Sequence, residues 1–175
     1  TASGSASLDI TSGIDSTYNE YQWHFVNMHP QTDSVNFQFQ VNAAGASGFN
    51  ETITSTFFYA YHRENDALSA LTYNAGNDQA QGTAYNIALT AQANNNDTGA
   101  SGILTLYDPA STTYVKHFTI EGVAVHTENG VDGQAFALDH HVAGYINTTS
   151  AIDEISFKMH SGNIDAGSIH MYGVG

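Results

Sequence analysis

Cysteine is absent from the 175-residue chain. This removes thiol nucleophiles, cysteine-ligated zinc and a disulfide framework together, and it leaves the redox compartment open. Basic residues are almost as scarce: Arg63, Lys116 and Lys158 stand against 17 acidic residues, for a formal charge of −14. Such a chain repels a phosphate backbone instead of releasing its counterions, so nucleic-acid binding is excluded as an expectation. Docking on anionic lipid needs clustered Lys and Arg and is excluded for the same reason. No apolar run approaches the roughly 18 residues that span a membrane, and no signal-peptide pattern stands at Thr1. A soluble protein is expected. The first residue is Thr1 and not methionine, which fits either a missing leader or an excised initiator.

What remains is small, polar and β-rich. Charged residues make up only 11% of the chain, so Ser, Thr, Asn and Gln must supply most of the polar surface. That is the makeup of a β-protein surface and not of a disordered acidic tail. At this length one domain buries about two-thirds of its unfolded surface without staples. Period-two alternation then marks strands. Tyr21, Trp23 and Phe25 alternate with Gln22 and His24, and Val35 to Asn42 alternates apolar with amide residues. Phe37 and Phe39 are therefore expected inside, with Gln38 and Gln40 exposed or bridging to a neighbour. Ile53, Phe57, Tyr59 and Tyr61 mark a strand within 51–62. Weaker strands are read at 84–90, 103–107, 114–120, 123–127 and 134–144. A closing pair, 155–160 and 168–174, surrounds the connector Ser161-Gly162-Asn163-Ile164-Asp165-Ala166-Gly167, and the last strand is expected in the core. Met28 to Asp33, Asn94 to Gly99 and Asp108 to Ser111 carry turn residues. Only Asp66 to Leu71 has helical spacing, enough for one turn. Short strands with frequent turns and no βαβ rhythm predict an all-β protein, an antiparallel two-sheet sandwich. Residues 8–175 form its single domain, and residues 1–7, small and unable to bury much, form a flexible N-terminal arm.

Candidate chemistry is thin. His140 and His141 follow Asp139, which invites a metal or acid/base reading, but neighbours on a strand point to opposite faces and cannot share one ion without a bulge. No His-x-His pair or His-Glu-x-x-His helix occurs. His24, His160 and His170 fall on the polar faces of their strands, where a surface imidazole is the ordinary outcome. Asp153 with Glu154, Glu64 with Asp66, and Glu128 near Asp132 are carboxylate pairs, yet sequence adjacency supplies no cleft of about 5 to 10 Å between them. Asn94 to Asp97 lacks calcium-loop spacing, and no Gly-x-Ser-x-Gly elbow or phosphate-binding glycine loop is present. The sequons at Asn50, Asn96 and Asn147 carry little weight in a chain so rich in Asn and Thr. No catalytic, cofactor-binding or metal-ligating residue is assigned, no cofactor is expected, and the protein is read as no enzyme.

One resemblance runs the length of the chain. Ser12-Gly13-Ile14-Asp15-Ser16-Thr17-Tyr18, Asn27-Met28-His29-Pro30-Gln31-Thr32-Asp33, Ala60-Tyr61-His62, Asp78 to Thr83, Leu106-Tyr107-Asp108-Pro109, Gly144-Tyr145-Ile146-Asn147 and the closing strand pair occur in that order. Together they resemble small jelly-roll virion structural proteins of marine tailed bacteriophages. The resemblance implies a jelly-roll-like topology and a role on the virion surface after assembly in the host cytoplasm. It implies first a capsid decoration or cement protein bound to the major capsid protein or other virion proteins, as a homo-oligomer with a trimer favoured. The alternatives are a tail-fibre or receptor-binding domain contacting host glycan, and a free carbohydrate-binding module. Its motifs are strand and turn motifs and carry no catalytic residue.

Overall fold

The computed structural model describes residues 1–127 and 134–175. Among these residues thirteen strands occur: β1 (Ala2–Ser5), β2 (Leu8–Ile10), β3 (Glu20–Pro30), β4 (Val35–Ala43), β5 (Ile53–Arg63), β6 (Ser69–Tyr73), β7 (Gln79–Gly82), β8 (Asn86–Gln92), β9 (Ala100–Tyr107), β10 (Lys116–Thr127), β11 (Ala135–Ile146), β12 (Ile152–Met159) and β13 (Ile164–Val174). There is no helix among the described residues. Nine strands make one sheet, in the order β1-β13-β3-β9-β10-β11-β5-β6, with β7 sharing the free edge of β5. The other four make a second sheet, β2-β12-β4-β8. All pairings are antiparallel. The two sheets form the expected β-sandwich.

The chain is wound back on itself as a double ribbon. β3 pairs with β13, β4 with β12 and β5 with β11, so the first half and the second half run alongside each other from sheet to sheet. That winding is jelly-roll-like. It differs from a plain jelly roll because the adjacent strands β9 and β10 separate the β3–β13 ribbon from the β5–β11 ribbon in the large sheet.

Between the sheets, alternation delivers one aromatic face from each side. Trp23 and Phe25 on β3, Phe57 on β5 and Phe118 on β10 meet Phe37 and Phe39 on β4 and Phe157 on β12, all essentially without solvent contact. Phe37 lies edge-on to Phe25 at 5.1 Å between centroids and stacks on Phe157 at 5.8 Å. These geometries suit the quadrupoles of the rings and add to the area each one buries.

Several expectations need correction. The N-terminal residues are no free arm: β1 pairs with β13, Ala2 opposite Gly167, and Ala2 is buried. Backbone hydrogen bonds hold this segment where its side chains could not. Asp66 to Leu71 is no helical turn, because β6 begins at Ser69 and pairs with the outer half of β5. The segments read as strands at 114–120 and 123–127 are one strand, β10, continuous through Gly122. The closing strand β13 is only half buried: Ile164 is inside, but Ile169 and Met171 are partly exposed where they pack against the core. Gln40 bridges as expected, yet it is fully buried. Its amide nitrogen donates to the carbonyls of Glu51, Thr83 and Ala84, and its oxygen accepts from the Val41 amide. Connecting segments cover the outer side of the small sheet there.

Two substitutions separate these contributions in chemical denaturation. Phe37→Ala empties a site walled by other rings and is expected to cost about 3 to 5 kcal/mol. Gln40→Leu keeps the volume but strands three carbonyls, with an expected loss of about 1 to 3 kcal/mol. A neutral Phe37→Ala would overturn the core assignment.

Candidate functional site

Three regions of the surface could meet another molecule. The first is the outer face of the large sheet. Register places His170, His24, Ile103, Glu121, His141, Phe58 and Tyr73 side by side across seven strands. The neighbouring row brings Ser101, Val123, Asp139, Ala60 and Leu71 into line. Leu71 is 72% exposed, Tyr73 55% and Val123 50%. Phe58 stacks on the His141 ring at 5.2 Å, and His24 sits 4.8 Å from the Tyr172 ring. His141 also approaches Asp139 at 3.5 Å and Glu121 at 3.9 Å. The mixture is apolar side chains, imidazoles and a few carboxylates.

No lysine or arginine projects from this face. Lys116 is buried, and its ammonium donates to the carbonyls of Tyr114 at 3.0 Å and Thr148 at 3.3 Å. Burial lowers its pKa, with Asp108 pulling the other way. Lys158 lies over the Tyr85 ring and Arg63 over the Phe136 ring, both away from the outer face.

A second region lies at the other end of the inner face. Pairing aligns Gly122, His140 and Tyr59, then Ala124, Leu138 and Tyr61, then His126, Phe136 and Arg63. β8 meets this end along one edge, Thr90 at His140 and Ala91 at His126, and it is the last strand of the small sheet. Tyr59, Tyr61 and Phe136 therefore keep partial exposure and floor a cleft of about 340 Å³. Thr90 and Ala91 form one wall and Leu68 and Asn74 border the other side. His126 fastens wall to floor by donating from Nδ1 to the Ala91 carbonyl at 2.9 Å.

A third hollow, about 620 Å³, opens where a bulge in β3 holds Asn27 at φ 50°. His29 lines it, 3.6 Å from Asp165, with Nε2 3.0 Å from the Asn95 carbonyl oxygen, and Asp97 stands nearby. Among the described residues, no group of three or more His, Asp or Glu is placed to hold a metal ion.

The residues flagged by the sequence are scattered. His140 and His141 do point to opposite faces, His140 inside and His141 outside. Glu154 accepts from Asn42 at 2.9 Å, and Asp66 pairs with His62 at 3.0 Å. Glu128 and Asp132 lie outside the described residues. The sequence places Tyr59 and Tyr61 on a strand but gives no sign of the cleft over them. Their exposure depends on where β8 ends, which no local pattern records.

His140 is a buried histidine of the molecule's interior. Its Nε2 accepts the Thr90 amide at 3.3 Å, so the neutral ring carries its proton on Nδ1. Phe57 and Tyr59 pack against it. Burial pushes its pKa down to about 4, against weaker upward pulls from the Gly122 backbone and Asp139. The unfolded chain takes up a proton near pH 6.5 and the folded chain does not. This term of stability is therefore present above about 6.5 and lost as pH falls toward 4, about 3 kcal/mol in all. In urea titrations at pH 7 and pH 4.5, His140→Gln should shrink the stability difference between the two pH values by about 2 kcal/mol. An unchanged difference would place the pH sensitivity elsewhere.

Comparison with protein-family models, with curated proteins and with solved structures finds no match to this chain.

Proposed function

We propose that this chain is a non-enzymatic structural protein of a virion surface, a capsid decoration domain that docks through the outer face of its large sheet. One observation carries the reading: an open sheet face presents Ile103, Phe58, Val123, Leu71 and Tyr73 together, in two adjoining rows. Exposed apolar surface of this kind is where soluble proteins meet partners. The resemblance of its strand and turn motifs to phage virion proteins supports the same role. So does the use of its chemically capable residues as structure: His140 accepts a backbone amide, Glu154 holds Asn42 and Lys116 ties two carbonyls.

The partner is the major capsid protein or another shell component, and the subunits share part of the face among themselves as a homo-oligomer, with a trimer favoured. Closed rotational symmetry is the usual way for identical chains to cover such surface. Affinity comes from many repeated weak contacts on a shell.

Electron cryomicroscopy of intact particles tests the location, with density for the domain expected on the outer shell. Sedimentation of the free protein tests association, which should tighten as salt rises from low to physiological, because screening relieves repulsion between chains of charge −14. Val123→Lys adds a buried charge to the contact and should weaken attachment to particles at least tenfold while leaving the melting temperature unchanged. A domain found only at the tail tip, or attachment indifferent to Val123→Lys, would overturn the decoration reading.

A further inference from the structure

We propose that the cleft floored by Tyr59, Tyr61 and Phe136 is a binding site for a neutral carbohydrate. The proposal concerns a different surface from the docking face and does not depend on it. The three rings stand on the inner face of β5 and β11, where alternation places core residues. Rings in that position are normally buried by the opposing sheet. Here β8 is the last strand of that sheet, and the floor past it stays partly open.

The geometry of the rings suits a sugar. Tyr59 and Tyr61 lie 6.0 Å apart with their planes at 37°, and Phe136 stands edge-on to Tyr61 at 5.7 Å. This makes a shallow bent platform, on which the C–H face of a pyranose can lie against one ring while its edge meets the next. Hydroxyls of such a ligand need partners at the rim. Among the described residues neither tyrosine hydroxyl bonds to another protein group, and the side-chain oxygen of Asn74 is held by the Gly76 amide, leaving its nitrogen to donate outward. The volume, about 340 Å³, matches a site for one or two sugar rings.

Charge narrows the ligand further. A chain of −14 repels an anionic sugar, a nucleotide or a phosphorylated ligand over long range. A quaternary ammonium would favour an aromatic floor, but the Arg63 guanidinium already lies 4.5 Å over the Phe136 ring and opposes a second cation there. A neutral ligand with apolar faces and hydroxyl edges is what remains.

The test uses the full chain and a panel of maltotriose, cellotriose, lactose and N,N′-diacetylchitobiose, with choline and glucuronate as charged probes. Saturation-transfer NMR should detect at least one neutral sugar, and titration should give a millimolar or tighter Kd. Tyr61→Ala should weaken that sugar about tenfold, the worth of one ring contact, while Tyr61→Phe should stay within about threefold. Asn74→Ala should weaken it by a similar factor to the loss of one hydrogen bond, about fivefold. Melting temperatures recorded alongside separate lost binding from lost folding. The proposal fails if no neutral sugar of the panel transfers saturation at about 10 mM, well above the weakest Kd it allows. It fails equally if binding survives Tyr59→Ala and Tyr61→Ala in folded protein, or if choline or glucuronate binds more tightly than every neutral probe.

Discussion

Four strands cannot cover nine, and most of this molecule follows from that mismatch. Where β2, β12, β4 and β8 lie over the large sheet, alternating apolar residues are sealed and the aromatic core forms. A two-layer domain is stable because each layer hides the apolar face of the other. Where the small sheet ends, the inner face continues without a cover, and Tyr59, Tyr61 and Phe136 emerge as a floor. Among the described residues no second layer covers the outer face. It stays compatible with water through threonines, imidazoles and carboxylates interspersed among its apolar side chains.

The boundary between sealed and open regions is set at β8, and glycine makes its close approach possible. Gly122 on β10 faces Gly102 on β9 in register. A Cβ on residue 122 would lie 2.7 Å from Leu89 Cδ2 and 3.0 Å from the Ser101 carbonyl oxygen. The first contact would push the Leu89 side chain of β8 aside, and the second would crowd the backbone of β9. With that flat place in the sheet, β8 comes near enough for the Thr90 amide to reach Nε2 of His140, the residue paired with Gly122. The ring must then be neutral, because a protonated Nε2 could not accept the bond and a charge there would have no water. Packing at one pair of glycines thus decides the protonation state of a histidine.

The parts of this arrangement that were legible in the sequence are the local ones. Val35 to Val41 announces its own inside and outside, because a strand buried on one face must alternate. The opposed directions of His140 and His141 follow from the same geometry. Gln40 was harder: the segments that close over it come from residues 51 and 83–84, and its fate as a buried bridge depends on chain far away. Leu68 and Leu71 mimic helical spacing, but pairing with β5 overrides so weak a local preference. For the N terminus the error had one cause, the assumption that small side chains mean a loose segment, when backbone bonding to β13 needs no side chain. The aromatic cleft was the least legible feature. Tyr59 and Tyr61 read correctly as strand residues, and only the order of strands in the other sheet leaves them exposed.

Electrostatics completes the picture by what it withholds. Each of the three cations is committed inside the molecule or against its own rings: Lys116 to two carbonyls, Lys158 to Tyr85 and Arg63 to Phe136. The surface carries a large excess of negative charge, and among the described residues of the outer face the histidines are the groups that can moderate it. Two such surfaces do not attract each other at neutral pH, so contact between copies must rest on apolar area and on amide and hydroxyl hydrogen bonds. A partner with a basic surface would gain from the same field that keeps copies apart, and would be steered toward the domain from a distance. A basic surface is therefore a better electrostatic match for this molecule than one as acidic as itself.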